Sequence, residues 1–119
     1  MSKKHTGERG EDIAAWHLQG KGYNIVARNW QCTRGELDII ATKDEVLVFV
    51  EVRTRHAPNT EAALISITPR KRERLIASAY TYIEEQALDN PLWRIDVVAV
   101  ALPRYGQPII EHVEDALGW

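Results

Sequence analysis

The chain has 119 residues, of which 45% are hydrophobic and 27% charged, and its formal net charge is −2. This length and composition predict one globular domain over residues 1–119, with enough apolar residues for a single core. Cys32 is the only cysteine, which excludes an internal disulfide, and no apolar run approaches membrane-spanning length. We therefore expect a cytoplasmic protein with no membrane partner.

Charge is distributed unevenly along the chain. Residues 1–74 contain 13 Lys/Arg and 10 Asp/Glu, a net charge of +3, whereas residues 75–119 contain 2 and 7, a net charge of −5. Such asymmetry permits a local basic face on an acidic protein, so a nucleic-acid partner is not excluded. The four histidines lack the close spacing of zinc ligands, which argues against a zinc site.

The first predicted element is a helix from Thr6 to Lys21, with Thr6 as its N-cap and Gly22 as its stop signal. Steps of three and four residues place Glu11 on a stripe of small and apolar side chains. About one turn into the helix, the partly positive helix start would favour the charged form of Glu11. Glu11 is then either a functional residue or a glutamate at the edge of the stripe. In the second case its carboxylate would reach solvent or pair with an arginine. The stripe consists of Gly7, Glu11, Ala14, Ala15 and Leu18.

Residues 23–32 predict a short or bent strand, and Gly35 then offers a bulge or turn. A hairpin of two further strands follows, residues 35–41 and 46–55. Because strand side chains alternate between faces, its charged residues fall into sets. On the first strand one face carries Glu36, Asp38 and Ile40, and the opposite face carries Leu37 and Ile39. On the second strand one face carries Glu51, Arg53 and Arg55 together with Leu47 and Phe49.

The connection between these strands decides which acids meet. A two-residue turn at residues 44–45 would place Asp38 directly opposite Glu51. A four-residue loop over residues 42–45 would place Glu36 there instead, with Asp38 on the diagonal. Asp-Glu lacks the glycine that two-residue hairpin turns favour, so we expect the longer loop. Either register puts a carboxylate from each strand on one face.

This clustering of acids requires a physical explanation. Carboxylates that face each other across a strand pair cost roughly 0.2–1 kcal/mol, and inside an apolar strand they must be neutralised, paired or bound to a metal. Mg²⁺ takes oxygen ligands from one or two carboxylates and from substrate phosphates. One interpretation is a divalent-metal site beside Arg53. The other is a cross-strand ion pair of Glu36 or Glu51 with Arg53 or Arg34.

Thr68 and Pro69 begin a second long helix that runs to about Ala87, with Thr68 as N-cap and proline at the first position. Four cations in its first turns oppose the helix macrodipole. An anion such as phosphate, bound at the free N–H groups, would offset this mismatch. The alternative is a solvated basic face. The four cations are Arg70, Lys71, Arg72 and Arg74.

The remaining chain predicts a nearly continuous apolar strand, residues 92–102, an edge strand over residues 108–113 and a short helical cap over residues 114–119. Asp96 is either a further polar member of the site or the partner of a structural arginine. Helix, three strands, helix and two strands in this order predict an α/β or α+β sheet with helices packed on it.

The chain contains a set of spaced segments that form one pattern: Gly7 with Glu11 and Ala14, Gly22-Tyr23, Arg28-Asn29, residues 35–41, residues 48–53, Lys71, Arg74-Leu75 and residues 94–98. This pattern resembles the YraN-type family of uncharacterised bacterial proteins. That family is similar in fold to the restriction-endonuclease-like PD-(D/E)xK nucleases, including archaeal Holliday junction resolvases. The resemblance implies an α/β fold with a mixed central β-sheet flanked by helices.

The resemblance also implies site residues: a helix acid at Glu11, metal-binding acids at Asp38 and Glu51, and a basic residue at Arg53. The expected cofactor is Mg²⁺ or Mn²⁺. The nuclease motif ends in lysine, and this chain has Arg53 instead. Arginine stays protonated and cannot deprotonate water. Hydrolysis would then need water activated by the metal, with Arg53 stabilising charge on the phosphate.

The leading hypothesis is a metal-dependent nuclease, or nuclease relative, that acts on DNA or structured nucleic acid. Asp38 and Glu51 would hold the metal, Glu11 would assist directly or through water, and Arg53 would clamp the phosphate. The side chains expected to bind the nucleic-acid backbone are Arg55, Arg70, Lys71 and Arg72.

Two other hypotheses stay open. The same fold without turnover would be a nucleic-acid-binding module, which Arg53 favours. A structural or protein-interaction role would tie up the acids in ion pairs and use tryptophans such as Trp16 and Trp119 at an interface. A homodimer is suggested by fold relatives alone.

Overall fold

The computed structural model describes residues 3–117 of the chain. Its helices and strands are α1 (Lys3–Gly20), β1 (Asn24–Cys32), β2 (Gly35–Lys43), β3 (Val46–Arg55), α2 (Glu61–Ile65), α3 (Pro69–Glu85), β4 (Trp93–Ala101) and β5 (Ile109–Val113). Among these described residues, no helix is both long and apolar enough to cross a membrane.

The strands form one five-stranded sheet in the order β1-β2-β3-β4-β5. β3 and β4 pair in parallel, whereas the other neighbouring strands pair antiparallel. The parallel pair requires a crossover, and α2 and α3 lie on that crossover. The predicted mixed sheet flanked by helices is confirmed.

α1 begins three residues earlier than predicted, at Lys3. Thr6 therefore lies inside the helix and is not its N-cap. Its hydroxyl forms a hydrogen bond with Nε2 of His56 at 3.0 Å, which links α1 to the end of β3. Glu11 consequently lies more than two turns into the helix. The favourable field of a helix start fades within the first turn, so it does not stabilise the charged form of Glu11 as predicted.

The predicted four-residue hairpin loop is also wrong. Lys43 pairs with Val46, so Asp44 and Glu45 form a two-residue turn. Their φ angles are 49° and 66°, the positive values of a type I′ turn, whose twist matches the twist of the flanking strands. That match outweighs the missing glycine. The resulting register brings Asp38, one residue before the pair Ile39–Val50, level with Glu51.

The sheet is covered on both faces by different clusters of apolar side chains. On one face α1 packs against β2, β3 and β4 through Ala14 and Leu18. On the other face α3 packs through Leu75 and Ala79, and the cluster includes the aromatic ring of Phe49. These two layers bury β3 almost completely.

Strict alternation of side chains fails within β2. Leu37 lies in the cluster under α3 together with Ile40, while Ile39 lies in the cluster under α1. The prediction that Leu37 and Ile39 share a face is therefore wrong. The ladder between β2 and β3 extends only as far as Ile39, so residues 35–38 are not held in the alternation of that ladder. Asp38 lies at this change of direction.

Asp96 is completely buried in β4 and is a structural residue, as the simpler interpretation expected. Its carboxylate accepts hydrogen bonds from Arg94 Nε at 2.9 Å and from the backbone N–H of Asp115 at 2.9 Å, and it lies 2.8 Å from His112 Nε2. Burial alone would raise the pKa of Asp96, but hydrogen bonds from His112, Arg94 and Asp115 lower it below its ordinary value. This network fastens the segment after β5 to the sheet.

The described part of the C-terminal segment forms turns and not the predicted helical cap. Leu117 is nonetheless buried in the cluster under α3. Gly118 and Trp119, and with them the predicted interface role of Trp119, lie outside the described residues.

α1 packs closely against β3 at Gly10. A Cβ added there would lie 1.8 Å from Oγ1 of Thr54, far inside the closest distance that non-bonded heavy atoms allow. Only glycine permits this contact, and the contact sets the height at which Glu11 stands above the sheet.

We predict that Gly10→Ala destabilises the protein by about 1–3 kcal/mol, the usual range for overpacking. Gly7→Ala is the matched control, because a Cβ at this position in the same helix meets nothing within 4 Å. Alanine there should be neutral or stabilise by up to about 1 kcal/mol through helix propensity. Urea unfolding of both variants measures the difference. Equal stability of the two variants would show that the close approach at Thr54 is not a constraint.

Candidate active site

Two adjoining cavities open along the ends of β2 and β3. The first, of about 490 Å³, lies between the start of α1 and β3. The second, of about 330 Å³, lies between β2 and the start of α3. Asp38, Glu51 and Lys71 line both cavities and form their shared wall.

The acids singled out in the sequence come together at this wall. Glu11 from α1, Asp38 from β2 and Glu51 from β3 all line the first cavity, together with Arg53. The backbone N–H of Val52 donates to Oδ2 of Asp38 at 2.8 Å, which fixes the Asp38 carboxylate beside β3. Elements far apart in the chain thus place three carboxylates around one space.

Glu51 is the most constrained of the three acids. The residue is 3% exposed, and its Oε2 atom is buried without a hydrogen-bond partner. Lys71 Nζ at 3.5 Å and Arg53 Nη1 at 3.9 Å lie within ion-pair distance of Oε2, but neither makes a hydrogen bond to it. Burial, followed by a hydrogen bond to the Asp38 carboxylate and by repulsion from its charge, raises the pKa of Glu51 to about 9. Glu51 is therefore neutral near pH 7 in the metal-free protein.

Glu11 experiences a weaker version of the same environment. Burial and then the charge of Asp38 raise its pKa to about 7, although the nearby Arg28 opposes the shift. A carboxyl group with this pKa exchanges protons in the neutral range. Asn29 holds it in place. The Asn29 side-chain nitrogen, assigned from its partners, donates to Oε1 of Glu11 at 2.6 Å and to Oε1 of Glu36 at 3.2 Å.

Arg53 is anchored away from the carboxylates. Its Nε donates to Oγ of Ser66 at 2.8 Å, and that hydroxyl donates to the carbonyl of Ala63 at 2.5 Å. Ser66 directly follows α2, so this short helix fixes the guanidinium at the rim of the first cavity. The ion-pair interpretation of Glu51 and Arg53 is thus correct only as a long contact of 3.9 Å.

Most of the predicted basic residues surround the two cavities. Arg55 lines the first cavity, Arg70 the second, and Lys71 both. Thr68 caps α3, because its hydroxyl accepts a hydrogen bond from the Lys71 N–H at 3.1 Å, and this predicted N-cap is confirmed.

Arg72 lies elsewhere. Its guanidinium donates to the Leu117 carbonyl at 2.8 Å and lines neither of the two cavities, because successive residues of a helix point about 100° apart. The sequence grouping of Arg72 with Arg70 and Lys71 is therefore not reproduced in space. Arg74 instead takes a place at the second cavity.

The carboxylates at the shared wall have the donor chemistry of a divalent-metal site. Within residues 3–117, no group of three or more histidine, cysteine, aspartate or glutamate side chains is arranged as a ready-made metal site. Mg²⁺ does not need one, because it commonly binds through one or two carboxylates, substrate phosphates and water. Asp38 and Glu51 supply two such carboxylates, and the buried Oε2 atom of Glu51, which takes part in no hydrogen bond, is an available oxygen ligand. The residues fit a divalent cation shared with a substrate.

Comparison with known proteins identifies the family of the chain. The model of the uncharacterised protein family UPF0102 matches residues 10–100. The chain belongs to this family. The YraN-type resemblance found in the sequence is therefore confirmed.

Relatives within the UPF0102 family match almost the whole chain. The UPF0102 protein of Chloroflexus aurantiacus is 45% identical over 118 residues, which cover 98% of this chain and 95% of that protein. The one from Dehalococcoides mccartyi is 42% identical over 117 residues, covering 98% and 96%.

Among solved structures, Pyrococcus furiosus SfsA in complex with Ca²⁺ gives a TM-score of 0.39 at 16% identity, over 95% of this chain and 64% of that chain. A likeness this low carries no argument about the site of this UPF0102 protein.

Two site residues escaped the sequence reasoning. Asn29 falls in an irregular part of β1, and its φ of 53° is a conformation that asparagine adopts more readily than most residues. The Arg28-Asn29 pair was visible as a family segment, but nothing local connected it to Glu11. Ser66 lies after the short helix α2, outside the strand that contains Arg53. The alternation pattern of a strand therefore could not connect the two residues, which meet only because the crossover folds back onto β3.

We predict that Glu51→Gln stabilises the metal-free protein at about pH 8 by on the order of 1–3 kcal/mol. The folded-state pKa of about 9 lies above the ordinary 4.5, so the folded state increasingly loses stability as the pH rises between these values. The gain from glutamine should therefore be small near pH 5 and larger near pH 8. Thermal unfolding at both pH values measures it.

Glu84→Gln serves as the control, since this glutamate is exposed on α3 and outside both cavities. Its stability should stay within about 0.5 kcal/mol of the wild type at both pH values. If Glu51→Gln gave the same difference at both pH values, the buried Glu51 carboxyl would not be neutral in the folded state.

Proposed function

We propose that this protein is a divalent-metal-dependent nuclease that hydrolyses phosphodiester bonds in DNA or structured nucleic acid. One observation carries the proposal: Oε2 of Glu51 is buried without a hydrogen-bond partner, in a wall that it shares with Asp38 between two cavities. Glu11 and Arg53 line the same space. A buried acid that costs stability and faces a solvent-filled space is typical of a functional site.

Asp38 and Glu51 would hold the cation, and Glu11 would assist directly or through water. Mg²⁺ or Mn²⁺, when bound, supplies charge stabilisation for the phosphate and lowers the pKa of a bound water. Both carboxylates are positioned for this before any ligand arrives, Asp38 by the Val52 N–H and Glu51 by burial in β3.

In the reaction, a water oxygen forms a bond to phosphorus and the bond from phosphorus to the leaving nucleotide oxygen breaks. The attacking water loses a proton and the leaving oxygen gains one. Glu11 suits the first transfer, because its pKa of about 7 lets it accept a proton near neutral pH. Arg53 cannot move protons, so it donates hydrogen bonds to the phosphate oxygens from the position that Ser66 gives it.

The charges around the cavities support a nucleic-acid partner. Arg55 stands at the first cavity, and Arg70, Lys71 and Arg74 stand at the second, beside the N-terminus of α3. A phosphate backbone could place one phosphate at the shared wall and its neighbours in the two cavities. Binding of this kind weakens with salt, because each phosphate contact releases counterions.

The second candidate is a nucleic-acid-binding module without turnover. Arg53 in place of the motif lysine favours it, because arginine stays protonated and cannot deprotonate water. Such a module would bind nucleic acid with strong salt dependence and without taking up metal.

We predict that wild-type protein binds Mn²⁺ in a calorimetric titration and that Glu51→Ala weakens this binding at least about tenfold. Mn²⁺ should also support cleavage of at least one of duplex, single-stranded or branched DNA by the wild type, and Asp38→Ala should abolish it. Glu84→Ala is the control and should retain both properties, since this glutamate lies outside both cavities.

Failure of all three substrates with Mn²⁺, together with equal Mn²⁺ binding by wild type and Glu51→Ala, would rule out the nuclease. Salt-dependent DNA binding would then support the binding module. The absence of DNA binding at low salt would instead support a structural or protein-interaction role.

A further inference from the structure

Two cations face the buried Oε2 atom of Glu51, and they are held in different ways. Arg53 comes from the same strand as Glu51, two residues later, whereas Lys71 comes from the first turns of α3. Lys71 Nζ is the nearer, at 3.5 Å against 3.9 Å for Arg53 Nη1. The residue in the sequence position of the motif lysine is therefore not the cation closest to the central acid.

Arg53 is immobilised. Its side chain is 17% exposed, and its Nε atom is occupied by the Ser66 hydroxyl. A guanidinium fixed in this way can present its remaining N–H groups to a phosphate, but it cannot follow one or withdraw from Glu51.

Lys71 has an anchored backbone and a partly exposed side chain. Its N–H is capped by Thr68, so the start of its side chain is anchored at the beginning of α3. The side chain is 40% exposed, and its ammonium makes no hydrogen bond to Glu51 despite the short distance. Lys71 also lines both cavities, so the head group can reach either side of the shared wall.

We propose that Lys71 is a catalytic residue of this site. In the metal-free protein its ammonium lies 3.5 Å from the buried Glu51 carboxyl, and in the substrate complex it contacts the phosphate that lies at the shared wall. This inference rests on the proposed nuclease function.

The proposal predicts effects of opposite sign on metal binding and on cleavage. An ammonium at 3.5 Å from Glu51 Oε2 repels a divalent cation at the same carboxylate. Lys71→Ala should therefore bind Mn²⁺ about twofold to tenfold more tightly than the wild type. The same variant should cleave about 100-fold more slowly, because a charge donor to the phosphate is lost. A merely structural lysine would shift both properties in the same direction or neither.

The experiment compares wild type, Lys71→Ala, Lys71→Arg and Arg104→Ala by Mn²⁺ calorimetry and by Mn²⁺-dependent DNA cleavage. Lys71→Arg keeps the charge and should restore wild-type Mn²⁺ affinity and part of the cleavage. Arg104→Ala removes one positive charge at an exposed position outside both cavities and should match the wild type in both assays. If Lys71→Ala does not fold, Lys71→Gln replaces it and carries the same expectations.

Tighter Mn²⁺ binding with slower cleavage in Lys71→Ala would support the proposal. Weaker or unchanged Mn²⁺ binding, or cleavage at the wild-type rate, would overturn the role of Lys71 while leaving the nuclease intact. A wild type that neither binds Mn²⁺ nor cleaves DNA would instead overturn the proposed function, and with it this inference.

Discussion

The register between β2 and β3 is the constraint on which the site depends. A two-residue turn with both residues at positive φ fixes it, and Asp38 is thereby brought level with Glu51. A slip of one residue would send every side chain of a strand to the opposite face, so the apolar layers under α1 and α3 enforce the same register. Turn geometry and core packing therefore agree on where the two carboxylates meet.

Several features of the site lower the stability of the folded protein. Glu51 is buried next to a like charge, the pKa of Glu11 is raised by burial and by Asp38, and Asn29 adopts a positive φ to hold Glu11. The well-packed clusters on both faces of the sheet offset these local penalties. Burial is most extensive in β3 and β4, whose buried apolar residues frame the site without contributing to its chemistry.

Sequence alone predicted the helices, the central hairpin and the candidate acids, because alternation and helical spacing are strong local signals. The four-residue loop was wrong since turn propensity is weaker than the twist match of a type I′ turn. The sequence places Arg72 beside Arg70 and Lys71, but on the helix its side chain points in a different direction and contacts the Leu117 carbonyl. Ser66 and Asn29 act on Arg53 and Glu11 through contacts made only after the chain has folded, so no local pattern could reveal them.

β1 is an edge strand of the sheet, and its irregularities have a second effect. A register shift between Ile25 and Ala27 and the positive φ of Asn29 interrupt the outward row of backbone donors and acceptors. An extended segment from another molecule could therefore not form a continuous row of backbone hydrogen bonds with β1. The opposite edge, β5, has only five residues. The backbone distortion that positions the Asn29 amide beside Glu11 thus also disfavours aggregation through pairing of edge strands.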